Sequence, residues 1–392
     1  MIAHPTLFTF TSGAGELILE IPTEQQIQAW LWSQYFSHPV SGYRAFLNKL
    51  CLSAILPWLE QNFAQAKPWT STTALPSFWE LVNGCAIVLD QMRLILVPGE
   101  EIDRGELRVP QEWVDIPSWS GDCYLAIQVE PDDNCVIIWG YCTHAQLQTY
   151  GIYDLSDRTY CLDAAEVIKD ISTLALVKEL VPKESIRSSV QPLPVLQRQQ
   201  AQNLICCLQK PEIIAPRLEI PFPLWGALIE HGGWRQNLYQ QRLGLLQQWS
   251  VWKWLESGVS ELAQQWGWEN LSLQLHTAGA RSGEKIPPRT IVSRQLAIAG
   301  QLYELRIVPQ SRSSHTNIWR FELRNATAKA AIPGGFKLRL LTEDLQPFPD
   351  NEDVATTTVE LLFVEVACEP AEGVVWETEP LPENYDREIL RL

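Results

Sequence analysis

Five residues near the middle of the chain are of the types that move protons or hold metals: Cys135, Cys142, His144, Cys161 and Asp163. Cys142 and His144 stand two apart, as do Cys161 and Asp163. If the strand carrying Cys161 lay beside the strand ending at Cys142, thiol, imidazole and carboxylate would meet. A thiolate beside a histidine is an activated nucleophile, and the same groups can ligate zinc. Such a centre would make the chain a thiol-dependent hydrolase using Cys142 or Cys161 with His144. The plainer reading is structural, because cysteine is among the most buried residue types and packs as a small hydrophobe. On that reading no catalytic residue, metal or cofactor is assigned, and Cys142, His144, Cys161 and Asp163 stand as weak catalytic candidates only.

Other signatures are missing. Gly13-Ala14-Gly15 has two glycines without a third and precedes a strand rather than a helix, so it does not read as a phosphate cradle. There is no G-x-S-x-G elbow and no C-x-x-C pair. The acidic stretch Glu343, Asp344, Asp350, Glu352 and Asp353 lacks the alternating ligands and turn glycine of a calcium loop. His231, before Gly232-Gly233-Trp234, reads as a turn histidine, and His4, His38, His276 and His315 have no partner visible in the sequence.

The elements that would position these residues follow from periodicity. Leu17–Ile21 reads as a short strand, and Thr23 with Gln26 as a capping-box helix start. Ile27, Trp30, Leu31 and Tyr35 then fall at helical spacing. A second helix near Ser41 carries an apolar stripe from Tyr43 through Phe46, Leu50, Cys51, Ile55 and Leu59 to Phe63, read as core, with a kink expected at Pro57. Residues 85–89, 93–97, 123–130 and 136–141 read as strands, with Pro131-Asp132-Asp133-Asn134 as a hairpin turn. Residues 143–150 form a predicted helix ended by Gly151, and 159–162 a strand. Asp163 is expected to cap a further helix, with Glu166 in the reciprocal position and Val167, Ile168, Ile171, Leu174 and Ala175 on its buried face.

Residues 182–223 are rich in Pro, Gln and Ser and read as a linker. Beyond it Leu245, Trp249, Trp252, Leu255, Val259, Leu262 and Trp266 recur at helical steps, while Trp254 and Trp268 fall off that stripe. The last third alternates: Leu271, Leu273 and Leu275; Tyr303, Leu305 and Ile307 after a turn at Ala299-Gly300; Trp319, Phe321 and Leu323; Phe336, Leu338 and Leu340; then strands over 359–368 and 374–377. The expected fold is α+β. An N-terminal domain (1–181) holds a helix pair and a small antiparallel module, followed by the linker (182–223), a Trp-rich helical segment (224–269) and a C-terminal antiparallel β-sandwich (270–392).

Composition narrows the function classes. The chain has 392 residues and a net charge of -16, which repels phosphate backbones and argues against nucleic-acid binding. It suits instead a basic partner. Nine cysteines without regular spacing read as reduced thiols. Residues 1–10 lack the pattern of a signal peptide and no apolar run is long enough to span a bilayer, so a cytoplasmic location without membrane attachment is expected. Seventeen tryptophans supply core and interface material rather than chemistry. Trp234, Trp254 and Trp268 are the candidate interaction residues.

Four blocks are distinctive: YRAFLNKLCLSAILPWL from Tyr43, WGYCTHAQLQTYGIYDLSDRTYCLD from Trp139, GGFKLRLLTEDLQPFPDNEDVA from Gly334 and WETEPLPENYDREILRL from Trp376. Over most of its length the chain resembles a cyanobacterial family known only as a domain of unknown function. The resemblance implies an encoding context near caspase-like CHAT proteases, CHASE2 sensor proteins and alternative sigma factors, and hence a signalling or stress-response role. It carries over no functional residue. The expectation is a noncatalytic regulatory or adaptor protein that binds another protein. The alternatives are the thiol hydrolase and a small-molecule sensing module with its ligand between β elements and tryptophans.

Overall fold

The structure is a computed structural model that describes residues 9–11, 15–63, 65–100, 103–245, 249–273, 289–312, 317–327 and 329–392. Its α+β chain divides into two units, one of residues 1–231 and 235–244 and one of residues 232–234 and 245–392. Among the described residues no helix is long and apolar enough to cross a membrane.

The first unit contains strands β1 (Thr9–Thr11), β2 (Leu17–Glu20), β3 (Ala66–Pro68), β4 (Cys85–Leu89), β5 (Met92–Gly99), β6 (Glu106–Pro110), β7 (Cys123–Glu130), β8 (Cys135–Thr143), β9 (Ile152–Asp154) and β10 (Thr159–Asp163). Its helices are α1 (Thr23–Ser33), α2 (Pro39–Asn62), α3 (Leu75–Leu81), α4 (Glu112–Asp115), α5 (His144–Tyr150), α6 (Thr173–Leu180), α7 (Lys183–Ile186), α8 (Arg198–Leu208), α9 (Pro216–Glu219) and α10 (Phe222–Glu230), with most of α11 (Gly232–Arg242). A seven-stranded sheet runs β1-β2-β8-β7-β5-β4-β3, and a three-stranded sheet runs β6-β10-β9. The pair β5/β7 is parallel, and its neighbours are antiparallel. Strand β7 is an unbroken run buried almost throughout, as a central strand covered on both faces requires.

Helix α2 covers that sheet. Pro39 opens it, and His38 caps it by accepting the Val40 N–H on Nδ1 at 3.1 Å. Phe46, Leu50, Cys51, Ala54, Ile55 and Leu59 are buried, as the apolar stripe predicts, against β5 and β7 among others. Pro57 lies inside the helix without ending it. The start of α1 differs from expectation. Thr23 makes no capping bond, and Gln26 Nε2 donates instead to the Pro131 carbonyl at 2.7 Å. Asp163 caps only a turn, accepting the Ala165 N–H at 2.8 Å. Ile168 bridges Tyr141 as extended chain, and the helix begins at Thr173.

Residues 182–223 are not a free linker but a strap on the first unit. Leu196, Ala201, Ile205 and Leu208 are buried. Arg217 clamps the fully buried Glu112 with Nε and Nη2 at 2.8 and 2.6 Å, and Trp225 Nε1 donates to the same carboxylate at 2.7 Å. Further on, Arg242 Nε meets buried Glu80 at 2.8 Å. Pro- and Gln-rich composition conceals such anchoring, because a few buried residues and two desolvated ion pairs hold a segment that is otherwise polar. The Trp-rich segment expected at 224–269 is split as well: 224–231 and 235–244 belong to the first unit, 232–234 and 245–269 to the second.

The second unit has helices α12 (Val251–Ser257) and α13 (Glu261–Gln265) and strands β11 (Trp268–Leu273), β12 (Arg289–Ile298), β13 (Gln301–Arg312), β14 (Asn317–Asn325), β15 (Lys337–Thr342), β16 (Pro347–Val354), β17 (Leu362–Cys368), β18 (Gly373–Glu379) and β19 (Leu390–Arg391). They form a five-stranded sheet β11-β12-β13-β14-β17 and a four-stranded sheet β16-β15-β18-β19, antiparallel throughout. Trp319, Phe321, Leu323, Leu338 and Leu340 are buried as their alternation predicts. The β12–β13 hairpin turns at Ala299 and Gly300, both at positive φ. Glu343, read from sequence as part of an acidic loop, is buried against Arg391 at 2.6 Å.

Candidate functional site

The cysteine and histidine candidates sit on separate elements. Cys142 lies on β8, paired with Tyr124 of β7, in the seven-stranded sheet. Cys161 lies on β10 in the three-stranded sheet, between Arg108 and Ile152. His144 begins α5, whose capping box is made by Thr143 and Gln146. It is fully buried, and both ring nitrogens are bonded to main chain: the Ser188 N–H donates to Nδ1 at 3.1 Å, and Nε2 lies 3.2 Å from the Val114 carbonyl. Because a carbonyl only accepts, Nε2 carries the proton and the ring is neutral. Burial pushes its pKa down. Burial also pushes the Cys142 thiol far up, and raises Cys161 less. The Cys161 sulfur pairs with the Thr159 hydroxyl at 3.6 Å, and Cys135 with Glu130. Asp163 bonds the turn beyond it. None of the four catalytic candidates is hydrogen-bonded to another, and no metal-holding group of three His, Cys, Asp or Glu occurs among the described residues.

The tryptophans chosen from sequence as interaction residues are core. Trp234, Trp254 and Trp268 are buried. The reason is a change of phase. Gly258, at φ 97°, ends α12, so the stripe from Trp249 to Trp266 is not one helical face. Within α12 it is Val251 and Trp254 that turn inward. Trp254 packs on Trp249 and Trp268 with ring centroids 5.9 Å apart in each case. The Trp268 and Trp376 indoles and Arg294 all donate to buried Glu388, at 3.2, 2.6 and 3.0 Å.

Exposed aromatic side chains among the described residues gather instead on and next to α1. Only Ala29 and Ser33 of that helix are buried, and half-buried Trp32 packs edge-on to Trp79 with centroids 5.7 Å apart. Ile27, Trp30 and Leu31 occupy the opposite face at i, i+3 and i+4 and are 56%, 49% and 60% exposed. Tyr35, just beyond the helix, is 76% exposed, and Val40 and Tyr43 on the first turns of α2 are exposed as well. Trp30 contacts Tyr43 and Phe46 with centroids 6.5 and 5.4 Å away, which fixes its plane. The rim is acidic. The Tyr43 hydroxyl donates to Glu100, and its pKa is pushed up to about 12 by burial, by that bond and by the charges of Glu100 and Asp132. Glu24 stands in the first turn of α1. Monomeric proteins rarely leave a contiguous apolar patch of this kind uncovered unless it binds something. A signal for it exists in the sequence: α1 carries apolar side chains around its whole circumference, so one face must remain after the other is packed.

No curated protein and no solved structure matches the chain. Residues 19–391 match the family described as Protein of unknown function (DUF1822), from β2 to the last strand, and the chain belongs to that family.

Proposed function

We propose that the chain is a noncatalytic regulatory or adaptor component whose α1 face docks a partner protein. The observation that carries this reading is the exposed row Ile27, Trp30, Leu31 and Tyr35 with an acidic rim. The occupant is an amphipathic helix or strand that carries apolar anchors flanked by Lys or Arg. The apolar anchors fill the space beside the Trp30 and Tyr43 rings, and the basic residues meet Glu24, Glu100 and Asp132. An excess of negative charge, -16 over the chain, steers such a partner toward the surface. A cyanobacterial signalling or stress-response setting and a cytoplasmic location agree with this reading. So does a sandwich arrangement of the two sheets in the second unit.

The test compares wild type with the double variant Ile27→Glu, Leu31→Glu. Both sites are exposed, so the fold and the melting temperature are expected to stay unchanged. A partner recovered with the wild type is expected to be lost with the variant, and Trp30→Ala to weaken it by at least about thirtyfold, the scale of an aromatic hot spot. Recovery of the same partner by wild type and double variant alike would refute the assignment of this face.

A further inference from the structure

Between the end of β5, the three-stranded sheet and α9 lies a cavity of about 260 Å³ in the first unit. Three of the four arginines that line it, Arg104, Arg108 and Arg217, are paired with carboxylates. Arg108 meets Glu106, Asp154 and Asp157 at 2.6, 2.8 and 2.8 Å, and Arg217 is held by Glu112. Arg44 is different. Its Nε and Nη2 donate to the main-chain carbonyls of Trp79 and Glu80 at 3.0 and 2.8 Å, and Nη1 has no partner among the described residues. Its guanidinium is thus fixed by backbone while no carboxylate contacts it. Arg104 lines the same cavity. Its Nε and Nη1 are engaged by Gln128 and Glu16, and Nη2 has no partner among the described residues. The wall beside them is apolar, with Val97, Ile127 and Trp139.

We infer that this cavity is a binding site for a small monocarboxylate, with the carboxylate on Arg44 and Arg104 and a short apolar body against Val97, Ile127 and Trp139. Charge decides between anions. Against the four lining arginines stand Asp103, Glu106 and Asp157 in the lining and Glu16, Asp154 and Glu112 paired to those arginines, so a phosphate dianion meets more repulsion than a single carboxylate does. Volume decides the size: the cavity is at the small end of ligand sites and takes a molecule of a few carbons. Burial and the nearby Arg217 and Arg242 push the Arg44 pKa down to about 10, against the pull of Glu80 and Glu112. An anion in the cavity relieves that penalty. The site is independent of the α1 face.

The experiment uses the full chain and four sodium salts, acetate, butyrate, phosphate and chloride, at matched ionic strength. Saturation-transfer NMR reports binding, and the shift in melting temperature reports linkage to the folded state. Butyrate is expected to bind at millimolar concentration and more tightly than acetate, while phosphate behaves as chloride. Arg44→Gln is expected to weaken butyrate at least tenfold, as loss of a charged hydrogen bond does. If Arg44→Gln does not fold, Arg104→Gln decides: a loss of threefold or more supports the site. Butyrate no better than chloride, phosphate better than butyrate, or unchanged affinity in the folded variants would overturn it.

Discussion

His144 illustrates how a residue of catalytic type becomes a structural one. The Ser188 N–H donates to Nδ1 and the Val114 carbonyl accepts from Nε2–H, so the ring joins three segments and is held neutral. Its pKa lies below the usual histidine value because burial penalises the charged form. The unfolded chain therefore binds the extra proton first, and stability is expected to fall as pH drops below about 6.5, the ordinary histidine value. It levels off once the pH is below the folded value. Urea midpoints at pH 7.5 and 5.5 check this, and His144→Asn is expected to flatten the difference. The thiols give a second outcome at this scale. Cys206 and Cys207 are exposed, while Cys51, Cys85, Cys123 and Cys142 are buried with their pKa values pushed up. A thiol reagent at neutral pH is expected to show a fast phase that Cys206→Ser with Cys207→Ser removes and His144→Asn leaves unchanged. A fast phase that depended on His144 would instead favour a thiol nucleophile.

At the level of elements, the strap over 182–223 depends on the buried Arg217–Glu112 pair, and the Arg242–Glu80 pair anchors the chain beyond it. Removing one partner leaves the other charge buried, so Glu112→Ala is expected to cost about 3–5 kcal/mol. The strap would then release, and limited proteolysis would cut between α8 and α10 in the variant but not in the wild type. Gly258 is a second sensitive point. Its φ of 97° lies where side chains are strained, so Gly258→Ala is expected to cost about 1–3 kcal/mol by chemical denaturation. The same elements show what could be read in advance. Strands β4, β5, β7 and β8 and helix α5 were legible, because short β-rich runs, a Pro-Asp-Asp-Asn turn and a glycine at the helix end are local signals. The strap and the anchor beyond it were not, because Arg217 and Arg242 find Glu112 and Glu80 more than a hundred residues away. Nor was the burial of Trp254, which depends on a phase break at one glycine. The α1 row was visible as spacing, but which of its two apolar faces packs is decided by Trp79 in a later element.

Among the described residues the chemistry is dispersed, while α1 gathers exposed apolar groups on one face. The titratable candidates are absorbed into separate sheets and turns. The exposed aromatic and aliphatic groups of α1 share one face under an acidic rim. An overall charge of -16 makes association with a basic partner dependent on salt, so the association rate is expected to fall as ionic strength rises past the point where the Debye length is about 10 Å. Site-specific photocrosslinking in the native cell tests the central claim most directly, with a photoreactive residue at 27, 31 or 35 and controls at Leu155 and Leu180, which are also highly exposed. Adducts at the three α1 positions, joined to a partner segment with Lys or Arg among apolar residues and absent at the controls, are the predicted result. Adducts confined to the controls, or none at any α1 position, would contradict the account.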